Sequence, residues 1–152
     1  MIAVDRPARR VQAARGYGAN HAILVQGRNE TAQVRSSIGD RQGVDVAFEV
    51  AGAQEAVDAA IELAVPGARV ILVGIPASDR TSFGASTARR KGLTIKLVRR
   101  MKNSYARAIQ LVQGGAIVVR SLVMHRFPLE KISEAFAVAA RRDGLKVLVE
   151  PG

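Results

Sequence analysis

An aspartate at the end of the first apolar run is the first residue with the chemistry of a binding site. Residues 2–4 form a short apolar run, Asp5 follows it directly, and Pro7 stands where a helix can begin. A carboxylate at the tip of a strand can accept hydrogen bonds from the hydroxyls of a ribose. We therefore interpret Asp5 as a ribose-binding acid, with capping of the following helix as the alternative.

Two later apolar runs lead at once into small residues. "VDVAFEV" is followed by Ala51 and Gly52, and "RVILVGI" contains Gly74. Ligands of open α/β sheets lie beyond the carboxyl ends of the strands, where glycine permits close approach of the backbone. These segments are candidate nucleotide contacts, with tight turning of the chain as the alternative; their residues are Val50, Ala51, Gly52, Val73, Gly74 and Ile75.

The glycine-rich phosphate loop that such a site normally includes is missing from the sequence. "GYGANH" at Gly16 lacks the third glycine of G-x-G-x-x-G, and "GGA" at Gly114 has the wrong surroundings. In dinucleotide-binding folds this loop and the helix after it bind the pyrophosphate through backbone N–H groups. The sequence therefore predicts a ribose-binding strand without its phosphate cradle.

Residues for independent catalysis are scarce. The chain has no cysteine, and with only His21 and His125 a histidine-based metal site is hard to complete. No Ser-His-Asp set stands out. Glu49 lies among apolar residues and resembles a buried catalytic acid, but we favour a structural role at the end of its strand.

Composition and charge restrict the class of protein. The sequence has 152 residues, 48% of them hydrophobic, and neither a membrane-length apolar run nor an apolar signal region is visible. Lys and Arg number 23 against 13 Asp and Glu, but these cations are spread along the chain, and only four Phe and two Tyr could stack on bases. We expect a cytoplasmic protein without a membrane partner, and nucleic acid is not the expected partner.

Short apolar runs alternate with amphipathic stretches. Pro66 and Gly67 are expected to end the third helix, and Ile132, Ala135, Phe136 and Ala139 are expected along one face of the last helix. The pattern predicts strands at 2–4, 22–25, 44–50, 69–75, 93–98, 122–127 and 145–149, and helices at about 7–15, 30–38, 54–64, 86–91, 104–113 and 129–141.

This alternation predicts an α/β fold. Strands separated by helices of about 10–15 residues imply βαβ units and a parallel sheet, and right-handed crossovers place helices on both of its faces. We therefore predict a truncated Rossmann-like, doubly wound parallel sheet over residues 1–98. An αβαβ C-terminal segment is predicted to follow over residues 99–152.

Three stretches, in order, resemble the C-terminal half of medium-chain dehydrogenases. They are "GVDVAFEVAGAQEAVDAAIELAVPGARVILVGIP", "LTIKLVRRMKNSYARAIQLV" and "LVMHRFPLEKISEAFAVAARRDGLKVLVEP". The likeness is to the zinc-dependent branch that contains sorbitol and other polyol dehydrogenases. It covers nearly all 152 residues, and "HRFPLEKI" in order with "VGIP" is its specific part.

The resemblance implies an NAD-dependent alcohol or polyol dehydrogenase, in which hydride moves between a secondary alcohol and NAD. Residues 1–98 would form most of the cofactor domain, and residues 99–152 the segment that returns to the catalytic domain. The family's zinc ligands and glycine-rich loop precede the part matched here. We therefore expect a fragment or truncated form with no zinc ligands, weakened NAD binding and little or no activity alone.

The resemblance also adds candidate cofactor-binding residues. Asp5 would favour NAD over NADP, because its charge repels a 2′-phosphate, although Arg6 beside it weakens that preference. Arg10 matches an adenine-side arginine of polyol dehydrogenases, with a solvated helix charge as the alternative. Met101 stands where relatives often carry an aromatic residue, a departure from the polyol pattern. The last matching stretch consists of Val98, Arg99 and Arg100, with Arg100 near the substrate.

The family's first Rossmann strand also precedes the part matched here, and the lack of this strand predicts association. In the strand order 3-2-1-4-5-6 it is central, so its neighbours at 2–4 and 44–50 would have unpaired edges. Either these strands pair directly or another chain fills the gap, and the family also dimerises through the strand at 93–98. We expect a homo-oligomer, most simply a dimer. A non-catalytic nucleotide-binding or assembly module and a basic nucleic-acid binder are the alternative functions.

Overall fold

The computed structural model describes residues 1–27, 30–39, 42–101 and 103–152 of the chain. These residues form two compact units, Met1–Arg99 and Arg100–Gly152. The assignment of the two units to a cofactor domain and a returning catalytic-domain segment stays a prediction.

The first unit begins with a βαβ element. Strands β1 (Ile2–Asp5) and β2 (His21–Leu24) are parallel, and helix α1 (Ala8–Gly16) connects them. Val11 is the buried residue of α1. The pairing places Asp5 opposite Leu24, so the predicted ribose-binding acid lies at the carboxyl end of this small sheet.

A three-stranded parallel sheet completes the first unit. Its strand order is β3-β4-β5, so the long strand β4 is central. The strands and the helices around them are α2 (Glu30–Ile38), β3 (Val44–Glu49), α3 (Gln54–Leu63), β4 (Ala64–Leu72), α4 (Ala85–Arg90) and β5 (Thr94–Leu97).

The apolar core of this unit lies between α3 and the three-stranded sheet. Val70, at the centre of β4, is fully buried. Val57, Ala60 and Ile61 recur at the spacing that places side chains on one helix face, and all three are buried in the same cluster. This packing holds α3 against the face of the sheet.

Lys91 fixes the junction between α3 and β4. Its ammonium donates to the carbonyls of Ile61 at 3.0 Å, Glu62 at 2.7 Å and Ala64 at 2.8 Å. The last carbonyls of a helix have no partner within the helix, so Lys91 supplies the missing donors. Burial lowers the pKa of Lys91, nearby Arg35 lowers it further, and Glu62 raises it in part.

The first unit differs from prediction in how its strands are joined. The predicted α/β, Rossmann-like class with parallel sheets is confirmed, but a single continuous sheet is not found. In the described residues β1 pairs with β2, β3 pairs with β4, and no ladder joins β1 to β3. Direct pairing of these two strands, one of the two expected solutions, is therefore wrong for this structure.

The second unit has the predicted αβαβ order. Strands β6 and β7 pair in parallel, with α6 between them. Its elements are α5 (Tyr105–Gln113), a 3-10 turn (Arg120–Leu122), β6 (Val123–Pro128), a second 3-10 turn (Leu129–Lys131), α6 (Ile132–Ala140) and β7 (Lys146–Glu150).

Two local predictions are wrong. Pro66 and Gly67 do not end α3, because they lie inside β4 in a bulge, between the pairs Val44–Ala64 and Val46–Arg69. A bulge tolerates proline since the residue needs no ladder bond there. Strand β4 ends at Leu72, three residues before the predicted end at Ile75. Phe136, on the apolar face of α6, is 69% exposed.

Candidate functional site

The predicted turns lie together at one edge of the three-stranded sheet. Because β3, β4 and β5 are parallel and adjacent, Val50, Val73 and Val98 follow their carboxyl ends at the same edge. The Val98 N–H donates to the carbonyl of Leu72 at 2.9 Å, which ties the end of β5 to that of β4. The fold therefore brings three separate sequence segments to one surface.

Glu49 connects two of these segments. Its carboxylate Oε1 accepts hydrogen bonds from the N–H groups of Ala51 and Gly52, each at 2.7 Å. Its backbone carbonyl accepts from Val73 at 2.8 Å and from Gly74 at 3.0 Å. Glu49 is only 4% exposed. The structural role favoured for this acid fits these contacts.

The two turns are also in direct contact, which explains their glycines. Gly52 has φ +69°, and a Cβ there would lie 2.5 Å from the Ile75 carbonyl oxygen. A Cβ at Gly74 would lie 2.2 Å from the Gly52 nitrogen and 2.5 Å from Oε2 of Glu49. Packing between the turns therefore requires both glycines, whereas their contact with a nucleotide stays a prediction.

The hydrogen bonds of Glu49 decide which chemistry this surface offers. Four N–H groups of the two turns, those of Ala51, Gly52, Val73 and Gly74, already donate to Glu49, so these four are not available to hold a phosphate as in a glycine-rich loop. Apolar side chains remain at the surface, since Val50 is 68% and Ile75 is 69% exposed. Such a surface suits the face of a flat ring better than a charged group.

A cavity of about 260 Å³ lies beside this surface. Its walls are the ends of β3 and β4, the start of α3 and the loop at 76–81, with Glu49 and Arg80 as its charged residues. Gln54 holds the loop: its amide nitrogen donates to the Ser82 carbonyl at 2.7 Å, and its oxygen accepts from the Ser82 N–H at 3.2 Å. The volume suits part of a cofactor rather than a whole dinucleotide.

Asp5 and Arg10 form a second predicted group, in the two-stranded sheet. Arg10 Nη1 lies 3.8 Å from Asp5 Oδ2, and the side chains are 36% and 39% exposed. Asp5 Oδ1 accepts the Arg6 N–H at 2.8 Å, and the N-cap of α1 is Pro7. The capping alternative for Asp5 is therefore wrong. The Arg6 guanidinium instead pairs with Glu30 at 3.3 Å.

The last predicted stretch is divided between the two units. Val98 and Arg99 follow β5 in the first unit, whereas Arg100 opens the second. The role of Arg100 therefore stays a prediction. The sulfur of Met101, the next residue, accepts a hydrogen bond from the Tyr105 hydroxyl at 2.9 Å.

Sequence reasoning missed two long-range contacts, that of Gln54 beside the cavity and that of Lys91 at the opposite end of α3. Lys91 bonds carbonyls 27–30 residues away, and Gln54 bonds a residue 28 positions away. No local sequence pattern marks such contacts. The one available signal was Glu49, an acid in an otherwise apolar run directly before a glycine turn.

Neither a metal-ligand cluster nor a membrane-spanning helix is found in the described residues. Within residues 1–27, 30–39, 42–101 and 103–152, no three His, Cys, Asp or Glu side chains are grouped so that they could hold a metal ion. The described residues therefore do not fit a zinc centre. None of the helices in the same part of the chain has the length and apolarity that crossing a bilayer requires.

The family model and the related sequences that match this chain point to the same family. The family model described as "Zinc-binding dehydrogenase" matches residues 1–114. Sorbitol dehydrogenase of Bos taurus is 32% identical over 155 residues, a match that covers 99% of this chain and 42% of that protein. Sorbitol dehydrogenase of Bacillus subtilis is 28% identical over 153 residues, covering 99% and 43%. The chain thus spans less than half the length of these relatives.

Solved structures show the same relation. An alcohol dehydrogenase from Thermus sp. ATN1 superposes with a TM-score of 0.84 at 27% identity, over 99% of this chain and 43% of that one. The 2R,3R-butanediol dehydrogenase from Bacillus subtilis gives 0.82 at 25% identity, over 99% and 43%. The fold and the sequence comparisons therefore agree.

Proposed function

Since the chain belongs to the zinc-binding dehydrogenase family, and corresponds to the C-terminal half of such an enzyme, we propose that it provides nucleotide-binding surface of an NAD-dependent alcohol or polyol dehydrogenase. One observation carries the proposal: the segments after β3, β4 and β5 share one sheet edge, with exposed apolar residues at Val50 and Ile75. Ligands of parallel α/β sheets bind at this edge.

Each group of residues has a separate role in this proposal. Asp5 accepts hydrogen bonds from the adenosine ribose, and Arg10 neutralises part of its charge from 3.8 Å. The turns at Val50 and Ile75 contact the flat rings of the cofactor through apolar atoms. Val98 and Arg99 extend this contact from the end of β5, and Arg100 is proposed as a further contact on the family resemblance.

NAD, when bound, supplies the acceptor for the hydride of an alcohol. The described residues bind and orient it, and none of them is assigned a proton transfer. Zinc does not enter the proposal for this chain, because the described residues offer no ligand group for it. We accordingly propose weakened NAD binding and little or no dehydrogenase activity for the chain by itself.

A non-catalytic binding or assembly role is the second candidate. The observation that favours it is the pair of strands β1 and β3, which have no ladder between them in the described residues. Unpaired strand edges favour association with another chain. We propose a homo-oligomer, most simply a dimer, and light scattering of the purified protein measures its mass. A cytoplasmic location remains a prediction from the sequence.

Calorimetric titration with NADH and NADPH tests the proposed function. We expect saturable NADH binding that is stronger than NADPH binding, because the Asp5 carboxylate repels a 2′-phosphate. Asp5→Asn should weaken NADH binding about 10-fold, as expected when a hydrogen bond to a charged group is weakened. Asp45→Asn, an exposed carboxylate change on β3, is the matched control and should bind normally. Absence of NADH binding at millimolar concentration would refute the proposal.

A further inference from the structure

We propose that Glu49 is a positioning residue for nucleotide binding: it holds the turns after β3 and β4 in one fixed relation and thereby sets the affinity of the site. This inference rests on the proposed function and deepens it. Glu49 itself need not touch the ligand. It acts through the backbone of residues that lie directly beside Val50 and Ile75, the exposed apolar residues of the surface.

The first argument is that both turns have hydrogen bonds to the same residue. The side chain of Glu49 accepts from Ala51 and Gly52, and its backbone carbonyl accepts from Val73 and Gly74. A shift of Glu49 therefore moves two segments that are more than 20 residues apart in sequence.

The second argument is chemical. Two N–H donors converge at 2.7 Å on a single oxygen, Oε1. An ionised carboxylate satisfies two such donors better than a neutral amide, because hydrogen bonds to charged acceptors are shorter and stronger. An apolar side chain would leave both donors unpaired in a site where Glu49 is 4% exposed. The position therefore selects an acid of this length.

The third argument is steric. The other carboxylate oxygen, Oε2, would lie only 2.5 Å from a Cβ added at residue 74. The Glu49 side chain therefore fits here only when residue 74 is glycine. The backbones of Gly52 and Gly74 are themselves in contact at the same point. The acid and the two glycines therefore form one unit, and each restricts the conformation of the others.

Three variants of the full chain separate positioning from general stability. Glu49→Gln keeps an oxygen acceptor of the same reach, and Glu49→Leu removes the acceptor. Val70→Ala is the stability control, since Val70 is fully buried in β4 and has no part in the turns. The measurements are NADH affinity by calorimetry, thermal stability, and the amide ¹H–¹⁵N signals of Ala51 and Gly52.

The expected results differ between the variants. Glu49→Leu should lose the downfield amide shifts of Ala51 and Gly52 and weaken NADH binding at least 10-fold. Glu49→Gln should weaken binding about 3-fold, with smaller amide shifts, as a partial rescue. Val70→Ala should lower the melting temperature but leave both the amide signals and the NADH affinity unchanged. A merely structural role of Glu49 would instead make affinity follow stability across all variants.

Each other outcome has a defined meaning. If Glu49→Leu does not fold, Glu49→Gln decides: unchanged amide shifts and unchanged affinity overturn the inference. If the unmodified chain binds NADH and both Glu49 variants bind it equally well, the inference is wrong and the proposed function stands. If the unmodified chain binds no NADH, the proposed function fails, and the role of Glu49 in affinity fails with it. The amide shifts then still report whether Glu49 holds the turns.

Discussion

Replacement of Gly52 by alanine tests the close approach of the two turns. Gly52 has φ +69°, and an added Cβ would lie 2.5 Å from the Ile75 carbonyl oxygen. Gly67 is the matched control, because it also has a positive φ of +78° but no heavy atom within 4 Å of its added Cβ. Both changes carry the conformational penalty, and only Gly52→Ala adds a steric one.

The size of the difference follows from these two contributions. A left-handed backbone disfavours an L-residue by about 1–2 kcal/mol, and this penalty applies to both variants. Overpacking of a tight site adds about 1–3 kcal/mol at Gly52 alone. We therefore expect Gly52→Ala to be about 2 kcal/mol less stable than Gly67→Ala. For a protein of this size that difference corresponds to a melting temperature about 4–8 °C lower.

Urea denaturation followed by circular dichroism measures the free energy of unfolding of both variants. Gly52→Ala should also disturb the N–H bonds to Glu49, which amide NMR signals report. Equal stability of the two variants would refute the reasoning, because it would mean that the turns do not approach each other as closely as the Gly52–Ile75 geometry requires.

Two further predictions concern the cation at the α3–β4 junction. Lys91→Met should lower the free energy of unfolding by about 1–3 kcal/mol, because three carbonyls lose a charged donor; Lys96→Met on β5, where the side chain is exposed, should change it little, and an equal loss in both variants would contradict the assignment. The stability advantage over Lys91→Met should also depend on pH. Since burial and then Arg35 lower the native pKa of Lys91 from 10.5, the unfolded chain binds more protons between the two pKa values. The advantage should therefore increase as the pH rises through that window, and urea titrations of both proteins across it would show a constant difference if the pKa were unchanged.

The sequence predicted the elements well where local patterns determine them. Apolar runs bounded by glycine or proline marked the strands, and the bounds of α2 at Glu30–Ile38 agree with prediction. The predicted position of Asp5 at the end of β1 is confirmed, because a short apolar strand tends to end where a charged residue follows it. Periodicity located the carboxyl ends of β3 and β5 to within one residue, whereas β4 ends at Leu72, three residues before its predicted end.

Contacts between distant segments could not be predicted in the same way. The bulge that accommodates Pro66 depends on the register between β3 and β4, which the order of residues does not reveal. The sequence position of Glu49 indicates a structural role, but the identity of its donors depends on how the two turns approach each other. Phe136 follows a helical apolar pattern and is nevertheless exposed, because burial requires a surface to pack against and not only a pattern.

The three hydrogen bonds of Lys91 have a consequence for the order of folding. Helix α3 ends at Leu63 and β4 begins at Ala64, so no loop residue defines the direction in which the chain turns. The carbonyls at this corner accept hydrogen bonds from Lys91, which lies 27–30 residues further along the chain. Contacts at such separation form after local ones, since closing the intervening loop has an entropic penalty. The helix and the strand can thus form early, while the corner between them acquires its geometry only when the segment carrying Lys91 arrives.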